Sequence, residues 1–246
     1  MKKVELNVVM PVYNEAGIIS EVINKWVETL TKLDIGFQIH AYNDGSKDNT
    51  LQILTKLAQE NKSLIVHHKL NSGHGPTILQ AYRENSDRDW IFQIDSDDEI
   101  GPEQFEDLWK NRDRYDFLVG RRVRSRQAAA RKLISVTSRA IVRIFYGSKV
   151  YDVNSPFRLM RSKAFRDLFL SLPRDMFAPN VVISGMVSLY DLRAYEIPVR
   201  EKGRTTGEVS IKKLKLIKAA VKSSLQTITY RFKMIPPECK ASSFNM

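Results

Sequence analysis

Along the first 94 residues, short near-continuous apolar runs alternate with stretches whose apolar positions recur every three or four residues. Leu6 to Met10 is a run of the first kind and predicts a buried strand. Residues 15–32 then place Ile18, Ile19, Val22, Ile23, Trp26, Val27 and Leu30 at helical spacing. Phe37 to Tyr42 predicts a second strand, closed by the turn and N-cap signal Asn43-Asp44-Gly45-Ser46. A second helix follows over 48–60, through Leu51, Leu54, Leu57 and Ala58. Leu64 to Val66 is a third strand, Asn71 to Pro76 a loop, and Thr77 to Tyr82 the start of a helix. Trp90 to Ile94 is a fourth strand. This alternation predicts an α/β chain with a mostly parallel, Rossmann-like sheet flanked by helices.

The remainder is less regular. Phe117 to Val119 reads as a strand, and 129–146 as an amphipathic helix through Leu133, Val136, Ala140, Ile141 and Ile144. Short strands are expected over 156–160 and 193–198, and helical segments over 162–171 and 179–190. Residues 211–233 carry Ile211, Leu214, Ile217, Val221, Leu225, Ile228 and Phe232 on one helical stripe, with Lys212, Lys213, Lys215, Lys218 and Lys222 off it. No linker or internal repeat breaks the chain. One domain is expected over 1–210, in two halves (1–118 and 119–210), with a basic amphipathic helix and polar tail over 211–246.

In an open parallel sheet, ligands bind at the carboxyl ends of the strands. Three groups of polar residues follow predicted strands there: Pro11, Tyr13, Asn14 and Glu15; then Asp44; then Asp95, Asp97 and Asp98. The last group, with Glu99, stacks carboxylates directly behind a buried strand. Such crowding is costly without a cation. Alternate residues of an extended segment face the same way, so Asp95 and Asp97 can address one ion. Hard oxygen ligands of this kind suit Mg²⁺ or Mn²⁺, which bridge to substrate phosphates. An acidic loop in which Asp98 caps the next helix is the plainer alternative.

Charge divides the chain. Residues 1–118 hold 13 Lys and Arg against 20 Asp and Glu, whereas 119–246 hold 26 against 8, within a formal net charge of +11. A basic half suits an anionic partner: phosphate, nucleic acid or an anionic membrane surface. No apolar run approaches the roughly 18 residues of a membrane span. The N-terminus is too short and polar for a signal peptide. The single cysteine, Cys239, excludes an intrachain disulfide, so a cytoplasmic setting is expected.

Val9-Met10-Pro11-Val12-Tyr13-Asn14-Glu15, Asn43-Asp44-Gly45-Ser46-Lys47-Asp48-Asn49-Thr50 and Asp95-Ser96-Asp97 resemble the family 2 glycosyltransferases of GT-A fold, in motif and in spacing. Further on, Gly120-Arg121-Arg122, Arg131 to Ser135, Asp152 to Arg158 and Arg204 to Glu208 resemble the dolichol-phosphate mannose synthase and polyprenyl-phosphate glycosyltransferase branch. The resemblance implies a UDP- or GDP-linked sugar donor and inversion at the anomeric carbon. It implies that residues 1–118 bind the donor, with Pro11, Tyr13, Asn14, Glu15 and Asp44 around base and ribose. Gly73 and His74 would lie in the loop approaching the donor. Asp95, Asp97 and Glu99 would hold the metal, Glu99 standing where that branch often has glutamine. Arg121, Arg131, Arg158 and Arg204 would lie near the acceptor phosphate or donor diphosphate, with 119–210 as the acceptor half. Asn43 replaces the first aspartate of the usual Asp-Asp-Gly-Ser, and Pro156 the glycine of the usual Ser-Gly-Phe-Arg.

A polyprenyl-phosphate acceptor is already anionic and needs no general base, in keeping with the lack of an obvious catalytic His or Glu in the second half. A cell-envelope glycan acceptor would need one, with Asp175 and Glu208 as candidates. The helix over 211–233 is suited either to peripheral contact with an anionic membrane or to ordinary packing on the domain. A non-catalytic sensor or nucleic-acid binder is a third reading. Against nucleic acid, the basic half lacks interleaved aromatic and basic residues of the kind that read single strands.

Overall fold

The structure is a computed structural model that describes residues 3–123, 129–202 and 213–233. In chain order the elements are β1 (Leu6–Val12), α1 (Ile19–Lys32), β2 (Phe37–Asp44), α2 (Thr50–Glu60), β3 (Leu64–Lys69), α3 (His74–Glu84), β4 (Trp90–Gln93), α4 (Phe105–Asn111), β5 (Phe117–Val123), α5 (Ala129–Tyr146), β6 (Arg158–Arg161), α6 (Ser162–Ser171), α7 (Pro179–Leu189), β7 (Ala194–Arg200) and α8 (Lys213–Lys233). The strands form one sheet in the order β3-β2-β1-β4-β6-β5-β7. β6 runs antiparallel to both β4 and β5, and the other ladders are parallel. The expected mostly parallel sheet is therefore present, with one reversed strand, β6, inside it between β4 and β5.

Strand parity divides the core into two layers. Leu6, Val8, Met10 and Val12 point to one face, where they meet Trp26 of α1, Leu54 of α2 and Phe105 of α4. Val9 and Ile91 point to the other, against Ile78 and Tyr82 of α3, Phe165 of α6 and Met186 of α7. On the first face the rings of Trp26, Phe92, Phe105 and Phe157 pack with centroids 4.5–6.2 Å apart. This rigid floor lies beneath the ends of β4 and β6. Periodicity predicts no element over 102–111, where Gly101-Pro102 opens a 3₁₀ turn leading into α4. Three apolar residues, Phe105, Leu108 and Trp109, are enough to bury so short a helix.

Pro11 sits in a central strand without breaking the sheet. Ile94 N–H donates to the Val9 carbonyl, so odd-numbered β1 residues turn their backbone polar groups toward β4. The β1–β4 ladder ends at Val9–Gln93, and the missing N–H of Pro11 falls beyond it.

Near the β3 edge, His40 Nδ1 lies 3.1 Å from His67 Nε2, and the His67 ring stacks on Tyr42 at 4.2 Å. Burial, then the neighbouring His67, push the His40 pKa down to about 4. The unfolded chain takes up this proton near pH 6.5, and the folded chain refuses it until about pH 4. The stability from a neutral His40 is thus complete above about pH 6.5 and is lost as pH falls toward 4, by on the order of 2 kcal/mol. Urea unfolding of wild type and His40→Leu between pH 7.5 and 4.5 should show a shallower pH dependence in the variant. Parallel curves would remove the histidine pair from the account.

Candidate active site at the strand ends

The loops after β1 and β2 are tied together. Asn14, at φ 54°, receives a hydrogen bond on its Oδ1 from Lys47 N–H (2.8 Å), and its own N–H donates to Ser46 Oγ (3.0 Å). The left-handed conformation is one that asparagine tolerates better than most side chains. Glu15 is buried, with its N–H donating to Thr50 Oγ1 (2.9 Å). This turn leaves the Tyr13 ring exposed at the mouth of the strand ends.

Asp44 closes β2 and organises the next loop. Its two carboxylate oxygens accept the N–H groups of Ser72 and Gly73, each at 2.9 Å, and Lys69 Nζ, from the end of β3, also binds it. Burial pushes the carboxyl pKa up, but the bonds from Lys69 and Ser72 outweigh it and hold Asp44 below the usual carboxylate range. The side chain expected to meet base and ribose is therefore already engaged in shaping the loop. Gly73, at φ 88°, then turns the chain into α3.

His74, the first residue of α3, reaches across to the segment after β4, where its Nε2 lies 3.2 Å from Asp95 Oδ1. The crowding of protein around this half-exposed ring works to lower the imidazole pKa, and the bond to Asp95 with the charges of Asp97 and Asp44 overrides this, leaving it raised. Asp95 is in turn held from below. Gln93 Nε2 donates to it at 3.4 Å, and Gln93 Oε1 accepts from Asn180 Nδ2 of α7 (2.8 Å) and from the Tyr82 hydroxyl of α3. Buried networks of this sort fix a carboxylate in place when each member is satisfied.

Asp95, Asp97 and Glu99 line one pocket with Ile94, Ile100, Arg122, Pro156, Phe157 and Glu201. Asp98 does not join them. At φ 53° its side chain turns to α1, where it meets Lys25 Nζ at 2.7 Å. The pocket's cation is Arg122, gripped by both oxygens of Asp152 (2.7 and 2.8 Å) and 3.7 Å from Glu201. Among the described residues, no group of three His, Cys, Asp or Glu side chains is arranged to hold a metal by itself. That donor set still fits Mg²⁺ or Mn²⁺. These ions commonly take one or two protein carboxylates and complete their shell with water and substrate phosphate.

The expected arginines divide differently. Arg121, one residue away on β5, is on the opposite side of the strand and lies against the Tyr151 ring (5.4 Å). Arg158 is wholly buried. Its guanidinium donates to the carbonyls of Ser155, Val153 and Asn180, so it supports the backbone rather than a phosphate. Arg131 falls in the first turn of α5, but its side chain, together with Arg204 and Glu208, lies outside the described residues. Asp175 is exposed on the loop before α7. Arg122 and Asp152 lie in motif blocks quoted from the sequence, but the role fell to Arg121; Glu201, Gln93, Tyr82 and Asn180 carry no such signal. Parity separates the two arginines: Arg122 shares the face of Leu118, and Arg121 that of Val119.

The 173–178 loop closes the α3 side. Gly75 packs so tightly on the Met176 and Phe177 carbonyls that any Cβ there would collide with backbone.

Residues 7–169 match the model of Glycosyl transferase family 2. The chain belongs to that family. It is 27% identical over 214 residues to the undecaprenyl-phosphate 4-deoxy-4-formamido-L-arabinose transferase of Edwardsiella ictaluri, covering 86% of this chain and 64% of that protein. The chain thus spans just under two thirds of that relative's length. A mannosyltransferase from Pyrobaculum calidifontis, solved with GDP-Man and Mn²⁺, superposes with a TM-score of 0.60 at 14% identity, over 93% of this chain and 73% of that one. Glucosyl-3-phosphoglycerate synthase from Mycobacterium tuberculosis, solved with Mn²⁺, UDP and glucosyl-3-phosphoglycerate, does so with a TM-score of 0.63 at 15% identity, over 94% and 80%. At such identities the structures speak to the fold, which is GT-A.

Proposed function

We propose that this family 2 chain transfers a sugar from a nucleotide-sugar to a polyprenyl phosphate, with inversion and with Mg²⁺ or Mn²⁺. The observation that carries the reading is the meeting of Asp95, Asp97 and Glu99 with Arg122 in one pocket beside His74. The relative's undecaprenyl-phosphate acceptor supports the lipid, and the GDP-Man and UDP complexes of the solved neighbours support either base.

In this reading residues 1–118 bind the donor and 119–210 the acceptor, on the inner face of a membrane. Tyr13, exposed at the end of β1, offers its ring to the base, with Pro11, Asn14 and Glu15 setting its position. Asp44 shapes the Ser72–Gly73 turn so that backbone and His74 approach the donor. Asp95 and Asp97 would hold the cation, with Glu99 beside them. When bound, the cation supplies positive charge to the diphosphate leaving group. Arg122, immobilised by Asp152 and Glu201, presents a fixed positive charge to the same pocket and needs little reorganisation. A phosphate acceptor is deprotonated at neutral pH, so orientation replaces base catalysis.

A panel of UDP- and GDP-sugars with and without Mn²⁺ tests the donor by thermal shift. At about 100 times its dissociation constant a ligand adds ~2.7 kcal/mol. For a chain of this size that raises the melting temperature by roughly 5–10 °C. The rise should require Mn²⁺ and be followed by transfer to undecaprenyl phosphate. No shift with any nucleotide-sugar would remove the donor. Transfer to a glycan but not to lipid phosphate would replace the acceptor.

A further inference from the structure

Among the described side chains of helix α8, most of the apolar stripe turns outward, with Ile228 half-buried. Such a stripe would ordinarily face the domain. Instead the buried face is hydroxylated: Ser223, Thr227 and Tyr230 point inward. The Tyr146 hydroxyl donates to the Thr227 carbonyl (2.6 Å), and the Tyr230 hydroxyl to that of Ser171 (2.6 Å). Arg231 Nε donates to the Phe145 carbonyl at the end of α5 (2.8 Å). Val221, Leu225 and Phe232 are left outward, 54%, 60% and 73% exposed.

Helix α5 extends this surface. Ile144 and Val136 are exposed on its outer side, and Phe145 meets Phe232 edge-on with ring centroids 6.2 Å apart. The apolar strip is accompanied by exposed Lys218, Lys222, Arg143 and Lys149. Neither α5 nor α8 contains an acidic residue. Apolar side chains among cations, with no anion on either helix, match an anionic lipid surface. A second copy of the chain would instead set like charges against each other.

The strip also adjoins the candidate site. Phe177 N–H donates to Gln226 Oε1 of α8 (2.9 Å), and Lys222 Nζ lies 5.9 Å from the Phe177 ring. The carbonyl of the same Phe177 abuts Gly75, next to His74. The surface and the donor loop are therefore separated by one turn of chain.

We infer that the outward faces of α5 and α8 form a single surface that docks on an anionic bilayer, with Phe177 at its site-facing edge. This deepens the lipid-phosphate reading by naming the face that meets the membrane, and rests on that reading for its purpose.

The test uses the whole chain and vesicles of phosphatidylcholine with about 30% phosphatidylglycerol, free of polyprenyl phosphate and donor. Wild type should cosediment with these vesicles at low salt, at least about tenfold more tightly than with pure phosphatidylcholine, and release as salt rises. Val221→Glu with Leu225→Glu should weaken binding at least about tenfold, and Lys218→Glu with Lys222→Glu likewise. Both pairs should keep the wild-type melting temperature and nucleotide-sugar shift. Failure of wild type to bind anionic vesicles, or wild-type binding by both pairs, would overturn the surface. So would a dimer in light scattering that Val221→Glu with Leu225→Glu makes monomeric. Vesicle binding without transfer to polyprenyl phosphate would overturn the acceptor and leave the surface standing.

Discussion

Asp97→Ala is expected to reduce release of nucleoside diphosphate by roughly 10²–10³-fold while the protein stays folded. The expectation follows from position. Asp97 lines the pocket with Asp95, Glu99 and Arg122, and its Oδ1 accepts the Glu99 N–H at 3.3 Å, which keeps the side chain beside the cavity. Among the described residues the pocket supplies too few ligands to hold a cation unaided, so loss of one carboxylate removes a large share of the protein's grip. The partly exposed side chain contributes little to the core, and the melting temperature should move by less than about 2 °C. The neighbouring Asp98 provides the contrast. Its carboxylate is paired with Lys25, so Asp98→Asn should leave turnover within a few-fold. Steady-state assays at saturating Mn²⁺ separate the two. Wild-type turnover by Asp97→Ala would end the metal assignment.

Arg158→Ala should lower stability by about 3–5 kcal/mol, with a fall in melting temperature of roughly 10 °C. Arg158 is fully buried, and its bonds run to the carbonyls of Ser155, Val153 and Asn180 at 2.7–3.2 Å. Burial pulls its pKa down, yet it remains charged, and the three carbonyls disperse that charge. Truncation removes the guanidinium donors of the Ser155 carbonyl, at about 1–3 kcal/mol if it is left unsatisfied, and empties the space of a large buried side chain, whereas the Val153 carbonyl keeps its bond from the Ser184 hydroxyl. The Asn180 side chain also binds Gln93 beneath Asp95, so the damage should reach the site as well. Urea unfolding decides the matter. A loss under about 1 kcal/mol would mean that Arg158 is not the support described.

These two residues show what could be read in advance. The first 94 residues announce their elements because strands buried on both faces and amphipathic helices have different periods, and the acidic cluster follows directly from the end of β4. The family motifs add the expected chemistry but not the orientation. Arg121 and Arg122 are adjacent and chemically alike, and only the pleat of β5 sends the second into the pocket. Arg158 resembles a surface cation in sequence, and its burial is set by carbonyls of the segment just before it and of Asn180 in α7. Helix α4 has too few turns for a periodic signal. In α8 the stripe was legible but its direction was not, because hydroxyl-to-carbonyl bonds hold the inner face where apolar burial usually would. The pairing of Asp152 and Glu201 with Arg122 joins residues far apart in the chain, which no local pattern encodes.

The seam at Gly75 has a mechanical consequence. With no side chain between α3 and the Met176–Phe177 backbone, nothing there can change rotamer to absorb relative motion. Push on one side and the other must follow. A force applied where α8 holds Phe177 would therefore be felt at His74 as a displacement rather than dissipated on the way.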